Sequence, residues 1–266
     1  MAAAAPVSAP AGARQATTGL RVAAVRIAIV ATVLIAWEAL SMSGLLFRDV
    51  VPSLQAIGKA LATLLAHPDF YANLGVTAME LAVAMAIGSL LGLAVGIALG
   101  ANRFLSDAFE SLLLYLGPTP KIIFFPVMLM WFGVGPGSKI AMGVVSCFFP
   151  VAISAAAGMR QIESVLIRVG RSFRASSWQM VTTIYLPAMR QPVVNGFRLG
   201  LGVAIIGTLL AETKLSNKGV GYLIIQAYAT FDMPKMYALI IVLFVLSIGA
   251  NVLIGRLGRG DRRAAT

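Results

Sequence analysis

The sequence predicts an all-α integral membrane protein with six transmembrane helices and a cytoplasmic helix-turn-helix loop. Three observations predict it. Hydrophobic residues make up 59 % of the 266 residues and charged residues only 12 %, where a soluble domain carries about 25 %. Six runs are each long and apolar enough to cross the hydrocarbon core of a bilayer. The 21 Lys+Arg residues outnumber the 10 Asp+Glu, and they are distributed unevenly between the runs. A chain with a mean hydropathy of +0.89 cannot cover itself with polar surface. That excludes an ordinary soluble enzyme, a disordered regulator and a secreted disulfide scaffold. A basic excess signals nucleic acid only where a soluble surface presents it, so the formal charge of +11 is read as membrane orientation.

The elements follow in order. Residues 1–21, rich in Ala, Pro and Thr, read as a disordered tail. The first span is Ala23–Met42. A cleaved signal peptide is its competing reading, with Arg21 and Arg26 ahead of it and Ala39-Leu40-Ser41 as the cut site. The length of the run and Glu38 at its end favour a span. Pro52-Ser53 then starts an amphipathic helix with Leu54, Ile57, Leu61, Leu64 and Leu65 at helical spacing. The second span is Val76–Gly100, where Gly88, Gly92, Gly96 and Gly100 share one face and admit a close neighbour, preferably from the same chain. Leu112–Phe132 is the third span and Ile140–Gly158 the fourth. Pro118, Pro120, Pro126 and Pro150 in these two spans free backbone carbonyls, which neighbours or a cavity must satisfy. Val193–Leu210 and Tyr237–Ile254 are the fifth and sixth spans, and 259–266 is a tail. Residues 22–258 thus form one six-span domain.

With the N-terminus inside, 14 of the Lys+Arg residues fall in inner segments and 6 in outer ones, while Lys121 lies within a span. The bias favours both termini inside. Glu38 and Glu80 read as interface charges near span ends. Lys121 either lines an anion path or snorkels to the inner face, and Arg198 snorkels or braces a loop. The inner loop Met159–Pro192 carries five arginines, too polar to span and too long for a turn. It reads as a helix around Ile162–Phe173, a turn at Ala175-Ser176-Ser177, and a helix from Trp178 to Leu186 stopped by Pro187. Arg168, Arg171 and Arg174 recur every third residue and so point to one helix face. Glu212–Met236 reads as an outer turn and short helix.

Chemistry is sparse. No Walker A pattern, H-E-x-x-H or G-x-S-x-G occurs. The one cysteine, Cys147, lies in an apolar run and cannot form an internal disulfide, and the one histidine, His67, reads as a loop residue. No metal or other cofactor is expected.

The stretch Arg171-Ser172-Phe173-Arg174-Ala175-Ser176-Ser177-Trp178-Gln179, followed by Tyr185-Leu186-Pro187-Ala188, resembles the EAA loop of ABC importer permeases. Pro118-Thr119-Pro120-Lys121, Pro126 and Trp131-Phe132-Gly133-Val134-Gly135 resemble the third span of the nitrate/sulfonate/taurine-type group. Gly196-Phe197-Arg198-Leu199-Gly200-Leu201-Gly202, Ala211-Glu212 and Gly219-Val220-Gly221-Tyr222 resemble its fifth span and outer loop. The resemblance implies the transmembrane subunit of a binding-protein-dependent, ATP-driven importer in the bacterial inner membrane, for a small anion such as a sulfonate, taurine or nitrate. Implied partners are a cytoplasmic ATP-binding subunit, a periplasmic substrate-binding protein, a second copy of the chain and membrane lipid, with no nucleic acid. It implies ATPase coupling through Leu166, Arg168, Val169, Gly170, Arg171, Phe173, Arg174, Ala175, Ser176, Trp178, Leu186 and Pro187. The bends at Pro118, Pro120, Pro126 and Pro150, with Lys121, are read from the residues themselves as lining the translocation path, a packed kink being the alternative. Two departures stand out: the family's leading Glu is Arg168 here, and its turn Gly is Arg174. An Arg at that turn carries a cost if φ is positive. The competing function is a secondary transporter or channel without an ATPase, although the two halves show no inverted repeat.

Overall fold

The computed structural model describes residues 11–44 and 50–257, which form helices and turns with no strand among them. The expected tail at 259–266 lies outside them, as do residues 1–10. The chain divides into two compact units after Ala60. In the first unit, α1 runs over Ala11–Met42 and supplies a span at Arg21–Met42. It begins inside the stretch expected to be a tail. The helix α2, Leu54–Ala66, starts where Pro52-Ser53 placed it. Glu38 is no bystander at an interface: its carboxylate accepts from the Leu54 N–H (2.8 Å). Ser53 Oγ accepts from the Ala56 N–H (3.2 Å). Both contacts fill donors that a helix N-terminus otherwise leaves empty.

The second unit holds the remaining spans. Helix α3, Pro68–Ala101, begins eight residues before the expected span, because Pro68 suits a first helical turn. Asn102 ends α3 and caps the next helix: its Oδ1 accepts from the N–H groups of Phe104 and Leu105. That helix is α4, Arg103–Leu116. The expected third span, Leu112–Phe132, falls on a bent pair of helices. Helix α4 stops before Gly117, a 3-10 turn covers Lys121–Phe124, and α5 covers Phe125–Phe132. The two halves are bent by 93°. Pro118 and Pro120 sit in the break, where the missing N–H groups and fixed φ prevent α4 from continuing.

Helix α6, Pro136–Arg160, passes through Pro150 without a break. The loop helices α7 (Ser164–Ser172), α8 (Ser177–Gln179) and α9 (Leu186–Ala188) follow, with a π-helical segment at Met180–Tyr185 between the last two. Helix α10 is Arg190–Lys214, α11 is Val220–Ala229 and α12 is Met233–Leu257. Among the described residues, five helices are long and apolar enough to cross a membrane, six if the bent pair counts as one.

Helix α6 lies between α3 and α10, and small residues let all three approach closely. Gly88, Gly92, Gly96 and Gly100 face α6 of the same chain. A methyl group on Gly92 would stand 2.7 Å from the Phe148 carbonyl oxygen, and one on Gly96 2.5 Å from that of Ala152. From the other side, Gly196 and Gly200 meet Val151, with Ser154 and Cys147 beside them. Stepping four residues along each helix gives layers: Gly92, Val151 and Gly200; then Gly88, Cys147 and Ala204; then Ala84, Gly143 and Thr208. The next layer contains Glu80, Lys139 and Glu212.

Candidate functional site

The loop after α6 folds as a hairpin whose turn is built from backbone bonds. The Arg174 N–H donates to the Arg171 carbonyl (2.9 Å), and the Ala175 N–H donates to that of Gly170 (3.1 Å). These are the two bonds of a Schellman motif, which needs a left-handed residue just past the helix. Arg174 occupies it, with φ +55°. Arg174 therefore lies beyond α7 and does not continue the helical face of Arg168 and Arg171. Ser176 opens the second arm with a capping box: its Oγ accepts from the Gln179 N–H (3.3 Å), and Gln179 Oε1 accepts from the Ser176 N–H (2.8 Å).

Gly170 is buried at the crossing of the arms, where a methyl group would press on Met180 Sδ at 2.6 Å and on Ile184. The π-helical turns precede Pro187, whose ring cannot sit under the carbonyl one turn back; the wider winding accommodates it. Leu186 is half-buried and Pro187 exposed. The outer surface of the hairpin is apolar and basic together. Phe173 is 83 % and Trp178 74 % exposed, Leu166 and Val169 are exposed beside them, and so are Arg168, Arg171 and Arg174.

Of the residues expected along the path, Pro118, Pro120, Lys121 and Pro126 lie at the broken span and Pro150 within α6. Lys121 Nζ donates to the Gly117 and Thr119 carbonyls, which lie in the break between the two helices. It also lies 5.0 Å from the centre of the Phe149 ring, next to Pro150. Pro126 stands in the first turn of α5. Lys121 thus secures the break, and the break rests on α6 through Gly117, within 3.3 Å of Ile153 Cδ1 for an added methyl. Across the same region Arg160 pairs with Glu110, which also accepts from Ser106 Oγ (2.7 Å).

Sequence reasoning missed a buried charged layer. Glu80, expected at an interface, is 2 % exposed; Lys139 and Glu212, counted as outer-loop charges, are 1 % and 0 % exposed. Glu212 accepts from Thr77 Oγ1 (2.6 Å) and from the Gly221 N–H (2.6 Å). The next two donors of α11's start are met from α3: the Val220 N–H by Thr77 Oγ1 and the Gly219 N–H by Asn73 Oδ1, both at 2.8 Å. A carboxylate at a helix N-terminus is favoured electrostatically as well. Gly219, at φ +105°, is required because a methyl group there would collide with the Glu212 carboxylate at 2.5 Å. This is the physical content of the Ala211-Glu212…Gly219-Val220-Gly221 motif. Glu80 and Glu212 are near enough for their charges to interact, and both feel the Lys139 charge. Lys139 Nζ itself donates to the Val134 and Gly135 carbonyls. The available signal was three ionisable residues within or at the ends of apolar runs.

Comparison with known proteins matches residues 88–263 to the family described as binding-protein-dependent transport system inner membrane component. A probable ABC transporter permease protein of Haemophilus influenzae is 28 % identical over 221 residues, covering 83 % of this chain and 89 % of that one. The taurine transport system permease protein TauC of Escherichia coli is 27 % identical over 240 residues, 87 % of each chain. The putative aliphatic sulfonates transport permease protein SsuC of Bacillus subtilis is 28 % identical, covering 81 % of this chain and 78 % of that one. Among solved structures, a chain of the MetNI methionine ABC transporter in inward-facing conformations superposes with a TM-score of 0.62 at 21 % identity, covering 77 % of this chain and 98 % of that one. An all-helical membrane chain with this motif set and these relatives belongs to the binding-protein-dependent transport system inner membrane components, as an ABC transporter permease.

Proposed function

We propose that this permease forms, with a second copy of itself, the translocation path of an ATP-driven importer for a small anion such as a sulfonate, taurine or nitrate. A periplasmic binding protein delivers the solute, and separate ATPase subunits drive the cycle from the cytoplasmic side of a bacterial inner membrane, where both termini lie. Taurine, aliphatic sulfonates and nitrate are the solutes named for several similar permeases, and this chain has no Walker A phosphate loop of its own. The observation that carries the reading is the hairpin of α7 to α9. It presents two exposed aromatic side chains amid arginines on a segment too polar to enter the bilayer. An aromatic anchor in a partner pocket is the usual energetic centre of an interface. Gly170 and the capping box make the hairpin rigid enough to transmit a displacement of the ATPase to α6 and α10.

The test is Phe173→Ala in the assembled transporter. Insertion and charge are unchanged by it. Docking of the ATPase should weaken by about 2 kcal/mol or more, and uptake should be lost. Normal co-purification and normal uptake in Phe173→Ala, Trp178→Ala and Arg171→Ala alike would remove the hairpin from the mechanism. The solute is tested separately, by screening sulfonates, taurine and nitrate for ATP-dependent uptake into vesicles that hold the complex with its binding protein.

A further inference from the structure

Helices α3, α10 and α12 enclose an apolar hollow of about 390 Å³. A second hollow of about 370 Å³ adjoins it, and the two share Leu201, Ile205 and Ser247. They form one continuous groove. Its walls are aliphatic over most of the length, with Leu81 and Met85 from α3 and Leu243 and Leu246 from α12. Thr77 and Thr208 are among the lining residues of the first hollow, but the groove's one charged lining residue is Arg198, which stands with Asn251 in the second. Arg198 Nε donates to Asn251 Oδ1 (2.8 Å). No carboxylate among the described residues forms an ion pair with the rest of the guanidinium.

We propose that this groove holds one anionic phospholipid, with an acyl chain along the wall of α10 and its phosphate at Arg198 and Asn251. Three features select that occupant. The wall is apolar and the single uncompensated charge at its mouth is positive, the pattern of headgroup pockets between membrane helices. From Arg198 to Leu209 at 1.5 Å per residue, the groove runs about 16 Å, close to the roughly 15 Å depth of one leaflet's hydrocarbon. Arg198 and Asn251 lie toward the ends of α10 and α12 that carry Arg190 and Arg256, so the mouth belongs to the more basic side of the chain. A lipid there would bridge α3 and α12 across α10.

The test uses the full-length chain in detergent, offered phosphatidylglycerol or phosphatidylcholine, with bound lipid counted by native mass spectrometry. The expected result is one retained phosphatidylglycerol per chain, preferred roughly five-fold, the advantage one basic side chain near an anionic surface confers. Arg198→Gln should erase the preference while still binding either lipid. Ala250→Phe should fill the groove and release both, and Ser247→Leu gives the same readout if that variant aggregates. Leu253→Phe, on the exposed side of α12, should behave as wild type. Equal retention of the two lipids by the wild-type chain would overturn the proposal. So would undiminished retention in well-folded Ala250→Phe or Ser247→Leu. Cross-linking of Ala250→Cys to a second copy in vesicles, in a Cys147→Ala background, would also overturn it and assign the groove to the partner chain.

Discussion

Arg174 adopts a left-handed conformation that costs an ordinary L-residue roughly 1–2 kcal/mol, in a turn where the resembled family places Gly. Arg174→Gly should therefore stabilise the hairpin by about 1 kcal/mol, and Arg174→Val should destabilise it. Hydrogen exchange of the Arg171–Ala175 amides reads this directly: about five-fold slower in the first variant and faster in the second. Identical exchange in both variants would mean the turn is held by something other than its backbone conformation. The requirement was legible in the sequence as a motif position with the wrong residue; the φ angle, which turns it into an energy, came only from the fold. Phe231 repeats the device at the end of α11, with φ +59° and the Asp232 N–H donating to the Ala227 carbonyl (2.8 Å). Glu212 offers a second test at this scale. Replacement by Ala leaves the Gly221 N–H and Thr77 Oγ1 without their acceptor, a cost of about 1–3 kcal/mol. The Glu212→Gln variant presents one oxygen and one NH2 to two donors, so it rescues only in part. Trypsin cleavage at exposed Lys214 and Lys218 should accelerate in the order wild type, Gln, Ala; an unchanged order would show that the loop is held without Glu212.

Among the elements, α6 sets the tolerance of its neighbours. A methyl group on Gly96 already overlaps α6 backbone, whereas one on Gly202 of α10 meets nothing within 4 Å. Gly96→Leu should abolish a monodisperse peak in detergent chromatography, and Gly202→Leu should leave it intact. Even Gly96→Ala should cost about 1–3 kcal/mol through overpacking. Equal tolerance at both positions would mean that α3 and α6 are not in this contact. The glycine stripe on α3 was legible because its period of four keeps one helical face. The matching face on α10 was harder to read, since Gly196, Gly200 and Gly207 are interleaved with Gly202, which faces outward. The broken third span was half legible: the prolines announced lost hydrogen bonds, but hydropathy averages over a bend and counts one run. The π-helical turns before Pro187 carried no such signal, because widening a helix by one residue leaves its composition unchanged.

For the whole molecule, span positions could be read from the sequence because burial in lipid imposes a local rule on each run. The layer of Glu80, Lys139 and Glu212 obeys no local rule. Its members are dozens of residues apart and meet only when α3, α6 and α10 pack; until then each is an isolated charge at the end of an apolar run. Three of the six charges assigned to the outer side, Lys139 in α6, Lys214 at the end of α10 and Lys235 in the first turn of α12, turn out to belong to membrane helices. The charge asymmetry does not depend on them, since moving any of them leaves the inner loop and its arginines dominant. Orientation can be tested with single cysteines in a Cys147→Ala background. Cys147 is fully buried and touches Met85 and Ser89, so the substitution removes a thiol that an aqueous reagent would not reach and costs only a small packing loss. A cysteine at Arg171, exposed on α7, should resist an impermeant maleimide in intact cells and react after lysis. A cysteine at Lys218, exposed in the loop before α11, should do the reverse and label from outside. Labelling of the Arg171 site in intact cells would invert the topology and put the hairpin on the face that no ATPase reaches.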